Sequence, residues 1–272
     1  LAFARATHFF DDRPQPSGGI HPTANVHPEA SVADRVTIDA GAVVEAGAQL
    51  GEGVWIGANV VVGRRVCVGA GTQMRPGVVV YHDVIVGENC LIHSNTVIGA
   101  DGFGFAPDEG RWHKILQLGR VVIGNRVEIG ASTTIDRGAL DDTIIGDDVI
   151  IDNQVHIAHN VTIGRGTAMA ASVGVAGSTK IGAGCTIAGQ AGLADHIEIA
   201  DGVHIGGQAR VTRSITEPGH YTSGTTVQPL RQWAKNALRF EQLNSLAQRV
   251  ADLEARLGIS GHTSGEGEQP ES

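Results

Sequence analysis

The stretch Thr37–Gly69, TIDAGAVVEAGAQLGEGVWIGANVVVGRRVCVG, decides the fold. Ile38, Val44, Leu50, Ile56, Val62 and Val68 recur every six residues, and a small or branched residue such as Ala42, Ala48, Val54 or Val60 follows four places after each. A period of six is neither the 3.6 of an amphipathic helix nor the alternation of a half-buried strand. It fits a solenoid in which each hexapeptide makes one short parallel strand and three close a triangular coil. Each aliphatic side chain then points inward and stacks on its equivalent 18 residues later, one strand spacing (about 4.8 Å) along the axis.

Outward from this stretch, the series reaches back to Ile20 and forward through Met74, Val80, Val86 and Ile92 to Ile98. It resumes at Ile123, Ile129 and Ile135, shifts frame, and runs from Ile145 to Val211. Gly, Asn and Asp fall at the corners, where positive φ is required. The predicted fold is therefore all-β, a parallel β-helix over 20–217 with an inserted loop at 101–117. That loop carries Phe103, Phe105 and Trp112 in a chain that is only 4% aromatic. It either packs on its own coil or walls a substrate groove, since long insertions in regular scaffolds carry function. The second break, at 138–143, reads as a mere reset of the frame.

Beyond Pro229 the composition turns to Ala, Leu, Gln, Arg and Glu. Leu243, Leu246, Val250, Leu253 and Leu257 form an a/d seam that needs partner helices. The predicted C-terminal extension and helix cover 218–257, and three prisms side by side would complete the seam, so a homotrimer is expected. Residues 258–272 are polar and Gly/Ser-rich, and are expected to be disordered. The start lacks both a methionine and a signal-peptide pattern. Residues 1–19 are read as the remnant of a preceding domain and its linker, the cut end of a longer protein.

Composition narrows the function classes. A net charge of −9 disfavours nucleic acid as a partner. No apolar run of about 18 residues is present, so no transmembrane segment is expected. Cys67, Cys90 and Cys185 are dispersed and odd in number, which suits a reduced cytoplasmic chain without disulfides. The absence of a CxxC pair argues against structural zinc.

With the coil length fixed, sequence distance becomes position on the prism. His159 is the third residue of the hexad starting at Ile157; one coil on lies Gly177, and two coils on Asp195, beside His196. A histidine thus faces a residue without a side chain, with a second histidine about 10 Å further along. That leaves room for a reacting carbonyl between an imidazole base and a backbone N–H able to bind an oxyanion. His21, His27, His82 and His204 read as corner or surface residues.

The strings GADGFGFA (Gly99–Ala106), IGASTTIDRGALDDTIIG (Ile129–Gly146), IDNQVHIAHNVTIG (Ile151–Gly164) and RSITEPGHYTSGTTVQP (Arg213–Pro229) resemble the UDP-3-O-(3-hydroxyacyl)glucosamine N-acyltransferases of lipid A synthesis. The resemblance extends over roughly Leu1–Leu257. It implies the left hand of the coil, which periodicity does not supply, and a Gram-negative, cytoplasmic setting. It further implies transfer of a 3-hydroxyacyl chain from acyl carrier protein to the 2-amino group of a UDP-sugar, with no metal or redox cofactor. By the same resemblance His159 is the general base, Gly177 supplies the oxyanion N–H, and His196 binds substrate or intermediate. Asp152 could orient the imidazole; because it lies on the preceding face, that contact would need a neighbouring subunit. Phe103 and Phe105 are expected to wall the substrate.

Two departures from the family pattern matter. The amino-terminal uridine-binding domain of family members is almost wholly absent from this sequence. Where relatives carry methionines in a late coil, this chain has Gln208 and Arg210, so a different acyl-chain preference is expected. Arg210, Arg213, Arg231, Lys235 and Arg239 stand against the single acid Glu217 between Ile205 and Phe240. Arg231, Lys235 and Arg239 are the expected docking residues for the acidic carrier. Competing readings are the O-acyltransferase of the same pathway, a zinc carbonic anhydrase drafting His93, His156 and His159, and a purely structural solenoid.

Overall fold

A computed structural model of the protein describes residues 2–12, 15–16, 18–224 and 226–258. After a short helix α1 (Ala2–Thr7), the described strands form three parallel sheets of 11, 10 and 9 strands. These are the faces of the predicted prism. Face 1 opens with Gly19–Ile20, face 2 with Asn25–Val26 and face 3 with Ser31–Val32. On face 1 the register runs Ile20, Ile38, Ile56, Met74, Ile92, each pairing with the next. The stack predicted from the six-residue period is therefore the observed core.

That core is a single column of aliphatic side chains with almost no solvent exposure. Burying each isoleucine contributes about 1.5–3 kcal/mol, which is how two-residue strands become a stable sheet. Along the regular coils the third residue after the aliphatic takes a left-handed conformation: Gly47, Gly53, Asn59, Arg65 and Gly71 follow one another in this role. The chain turns each corner there, whether or not glycine is present.

Both interruptions leave the prism in register. Ile98 pairs with Ile135, and Ile135 with Ile157, so the extra residues are expelled outward while the stack continues. The first insertion contains an antiparallel hairpin, Phe105–Asp108 with Arg111–Lys114. The prism also runs past residue 217, because Gly219–Tyr221 adds a last strand against Val203–Ile205.

Two of the cysteines are explained by packing. The Cys90 N–H donates to Thr72 Oγ1 (3.0 Å), and its Sγ lies 3.2 Å from the Gly124 carbonyl. Cys185 repeats this with Thr167 (3.1 Å) and the Ala200 carbonyl (3.2 Å). Burial pushes the Cys90 thiol pKa up, away from reactivity.

Residues 226–258 belong to a second unit. It contains two helices rather than one, α2 (Leu230–Glu241) and α3 (Leu243–Leu257), and α3 ends on a left-handed Gly258. The predicted seam lies on α3, and its side chains are all exposed in the single chain. Most of the predicted disordered tail, residues 259–272, lies outside the described residues. Among the described residues no helix is long and apolar enough to cross a membrane.

A corner ladder of charges ties coils together. Asp148 accepts from Arg126 Nε (2.6 Å) and Arg165 Nε (2.8 Å). The Arg126 hydrogen bond chiefly holds its carboxyl pKa down, at about 2. A depressed pKa means that the folded state favours the charged form. The contribution is present above the unfolded carboxylate value and is lost as pH falls through about 2. Asp148→Asn should lower the melting temperature at neutral pH, and its further decline between about pH 4 and pH 2 should be shallower than wild type. Thermal melts across that range test this; parallel curves would contradict it.

Candidate active site

His159 follows the strand His156–Ile157 on face 2, where the wholly buried Ile157 fixes the backbone. Asn160, with φ of 60°, turns the corner behind it. Asn160 is held by its neighbours: its N–H donates to Thr143 Oγ1 (2.9 Å), its Nδ2 donates to the Asp141 carbonyl (3.0 Å), and its Oδ1 accepts from Ala139 N (2.9 Å). The segment 138–143, read from sequence as a frame reset, is thus the clamp on Asn160. The same Oδ1 lies 3.2 Å from His159 Nδ1. An amide oxygen only accepts, so Nδ1 carries the proton and Nε2 of the neutral ring keeps its lone pair.

The imidazole lies between two glycines. A Cβ at Gly177 would sit 2.6 Å from His159 Cε1 and 2.7 Å from Nε2. A Cβ at Gly102, at the start of the first insertion, would sit 2.8 Å from His159 Cβ and 2.9 Å from Cδ2. Close approach, rather than backbone conformation, requires glycine at both positions. The Gly177 carbonyl accepts from His196 N (3.0 Å), while its own N–H has no acceptor among the described residues. The structure brings His159 and Gly177 together as the coil arithmetic predicts.

They line a cavity of about 430 Å³ with Phe103, Asp136, His156 and Leu193. Phe105 makes a tilted ring contact with Phe103, 5.3 Å between centroids. Asp136 is the residue that sequence reasoning missed. Its side chain is only 13% exposed, with Oδ2 3.8 Å from His156 Nε2. Burial raises its pKa, against the lowering effect of His156 and His159. The signal lay inside the quoted IDRGALDD string, but the coil there is 22 residues long, so steps of 18 pass it by.

The next residue, Arg137, turns inward and is buried. Its Nε donates to the Gly99 carbonyl (2.9 Å) and its Nη1 to His82 Nε2 (3.0 Å), while His82 Nδ1 lies 2.7 Å from Asp83. His82 is exposed at a corner, as read from the sequence, and in addition holds the Arg137 guanidinium.

The other predicted site residues lie elsewhere. Asp152 is exposed on face 1, where it lines a groove of about 720 Å³ with His93 and Glu128 and accepts from Asn153 N (2.7 Å). Within one chain the carboxylate beside His159 is Asp136. His196 is in register with Asn160 rather than with His159, and its Nδ1 lies 3.0 Å from Asp195. That contact holds the Asp195 carboxyl below its usual range. Gln208 Nε2 donates to Gln190 Oε1 (2.9 Å). Arg210 ends an outward column on face 2 that reads His156, Gly174, Gly192, Arg210. Arg231, Lys235 and Arg239 lie on α2, four residues apart and so along one face.

The bacterial transferase hexapeptide (six repeats) family matches residues 68–100 and 142–177. Among solved structures, a UDP-N-acetylglucosamine O-acyltransferase from Moraxella catarrhalis aligns with a TM-score of 0.60 at 26% identity, covering 75% of this chain and 71% of that one. The enzyme from Francisella novicida aligns with 0.61 at 25%, covering 75% and 67%. In sequence, a UDP-3-O-acylglucosamine N-acyltransferase of Pseudomonas aeruginosa strain LESB58 is 57% identical over 164 residues, 60% of this chain but only 46% of the relative. The match thus spans about half the length of that relative. The protein of the same name from Pseudomonas fluorescens strain SBW25 is 51% identical over 270 residues, 98% of this chain and 77% of the relative. At that identity and coverage, with the hexapeptide coil and its histidine corner in place, the chain belongs to the UDP-3-O-acylglucosamine N-acyltransferase family.

Proposed function

We propose that this protein transfers a 3-hydroxyacyl chain from acyl carrier protein to the 2-amino group of UDP-3-O-(3-hydroxyacyl)glucosamine, in the cytoplasm of a Gram-negative bacterium. One observation carries the reading: the His159 ring lies over Gly177, whose N–H has no acceptor among the described residues, at the wall of an open cavity. His159 Nε2 takes a proton from the amine as its nitrogen attacks the thioester carbonyl. The Gly177 N–H stabilises the oxyanion. An N–C bond forms, the C–S bond breaks, and the imidazolium returns its proton to the leaving sulfur.

The working unit is a homotrimer. The uncovered α3 seam supports this, as does the face 1 groove holding Asp152, which a neighbouring subunit could bring to His159. Arg231, Lys235 and Arg239 form the carrier-docking stripe, attracting the acidic carrier by charge. His196 contacts substrate beyond the reacting centre, and Phe103 with Phe105 walls it. The test is an assay of the full chain with 3-hydroxyacyl-acyl carrier protein and either the amine or the hydroxyl sugar nucleotide. Preference for the hydroxyl would favour the O-acyltransferase reading instead.

The acyl chain runs along the outward column of face 2. Gly174 and Gly192 have open space where a Cβ would project and no left-handed backbone, so nothing within the chain demands glycine there. The bare strip ends at Arg210, flanked by Gln208 at the corner. Arg210→Met should shift the preferred chain length, because an apolar end wall replaces a cation that resists burial. Product mass spectra from mixed acyl donors test this, and an unchanged product distribution would refute it.

A further inference from the structure

We propose that Asp136 receives the acceptor's amine as its ammonium ion, and so selects an amine over a hydroxyl acceptor. The inference rests on the acyl-transfer reading of the His159 cavity and goes beyond it in naming the group that recognises the nucleophile. The carboxylate is largely buried yet lines an open cavity. A buried carboxylate is costly unless a cation or hydrogen-bond donors meet it.

Every charged neighbour from the packed elements is otherwise engaged. On its own strand, Arg137 turns inward to Gly99 and His82. At the end of the adjoining strand lies Asp101, and Lys114 of the hairpin pairs with Asp101 at 2.6 Å rather than with Asp136. One coil on, His156 Nδ1 is 2.8 Å from Thr134 Oγ1, with Nε2 3.8 Å from the Asp136 carboxylate. His159 Nδ1 is turned to Asn160. The cavity therefore offers an acid and two imidazoles with no fixed cation among its lining residues. A protonated amine fits that vacancy of charge, whereas a neutral hydroxyl gains much less from it.

The protons balance. The ammonium gives one proton to the Asp136 carboxylate, leaving a neutral amine. His159 takes a second during attack and delivers it to the sulfur, and the third stays on the amide nitrogen. The upward pull of burial on Asp136 suits it to accept a proton from an ammonium group.

The test compares wild type, Asp136→Asn and Asp136→Glu, using 3-hydroxyacyl-acyl carrier protein and UDP-3-O-(3-hydroxyacyl)glucosamine. The Asn variant should raise KM for the amine by roughly 10- to 100-fold while leaving KM for the carrier thioester within about twofold, and Glu should recover part of the loss. Equal effects on both substrates, or an amine KM unchanged in the Asn variant, would overturn the proposal. Calorimetry on wild type gives a second reading that does not depend on the variants folding. Affinity for the amine should fall as pH rises through the amine's own titration, and an affinity that rises or stays flat counts against Asp136. If wild type acylates only the hydroxyl sugar nucleotide, the proposed function and the selection by Asp136 both fail, whereas amine acylation with an amine KM unmoved by Asp136→Asn sinks the role of Asp136 alone.

Discussion

Replacing His159 with alanine should lower kcat by about 10²–10⁴-fold, the usual worth of a positioned general base. The fold should survive, because the column that holds the corner is built from Ile157 and its stacked equivalents, not from the imidazole. Asn160 also keeps its bonds to Thr143, Asp141 and Ala139. KM for both substrates should move far less than kcat, since the lost interaction forms during attack. Steady-state kinetics on the refolded and wild-type proteins, with circular dichroism and mass determination alongside, decide the matter. Full turnover in a folded His159→Ala protein would remove the base from the mechanism and leave the cavity without a catalyst.

A single methyl group at Gly177 should be nearly as damaging. The new Cβ would fall 2.6 Å from His159 Cε1, inside any real contact distance, and the neighbouring atoms belong to the ring itself. The ring cannot retreat freely, because Gly102 approaches its other side equally closely. Gly177→Ala should therefore displace Nε2 and crowd the space above the Gly177 N–H. Loss of an oxyanion donor alone costs about 10²–10³-fold in kcat. Wild-type kcat in a folded Gly177→Ala protein would mean that the close approach at Gly177 has no catalytic meaning.

The fold is legible because the period is imposed by geometry. Ile38 can only stack on Ile56 if the chain spends 18 residues per coil, and the sequence keeps that count wherever the coil is regular. The pairing of His159 with Gly177 follows from the same count. Asp136 escapes it, since it sits in the coil whose length is 22 residues. Asn160 also escapes, because its hold on the ring depends on the Ala139 N–H and the Asp141 carbonyl of an irregular loop, for which no repeat gives coordinates. Arg137 and His82 are 55 residues apart in sequence, and the first insertion, expelled from the stack, hides from an 18-residue count that they lie on neighbouring coils. The residues of the predicted seam fall on one helix, α3, as their spacing implies, while the break at Gln242 carries no Gly or Pro to announce it.

The two insertions also have a shared destination. One delivers Gly102 against the imidazole, and the other fastens Asn160 behind it, so two large irregularities of the prism converge on one ring. The repeating coils, whose inward positions alternate among Val, Ile and Leu, carry His159 and Gly177, and the two short digressions from the rule enclose and steady the ring. A lineage could redesign either digression, or lose it, without renegotiating the stack that bears the load.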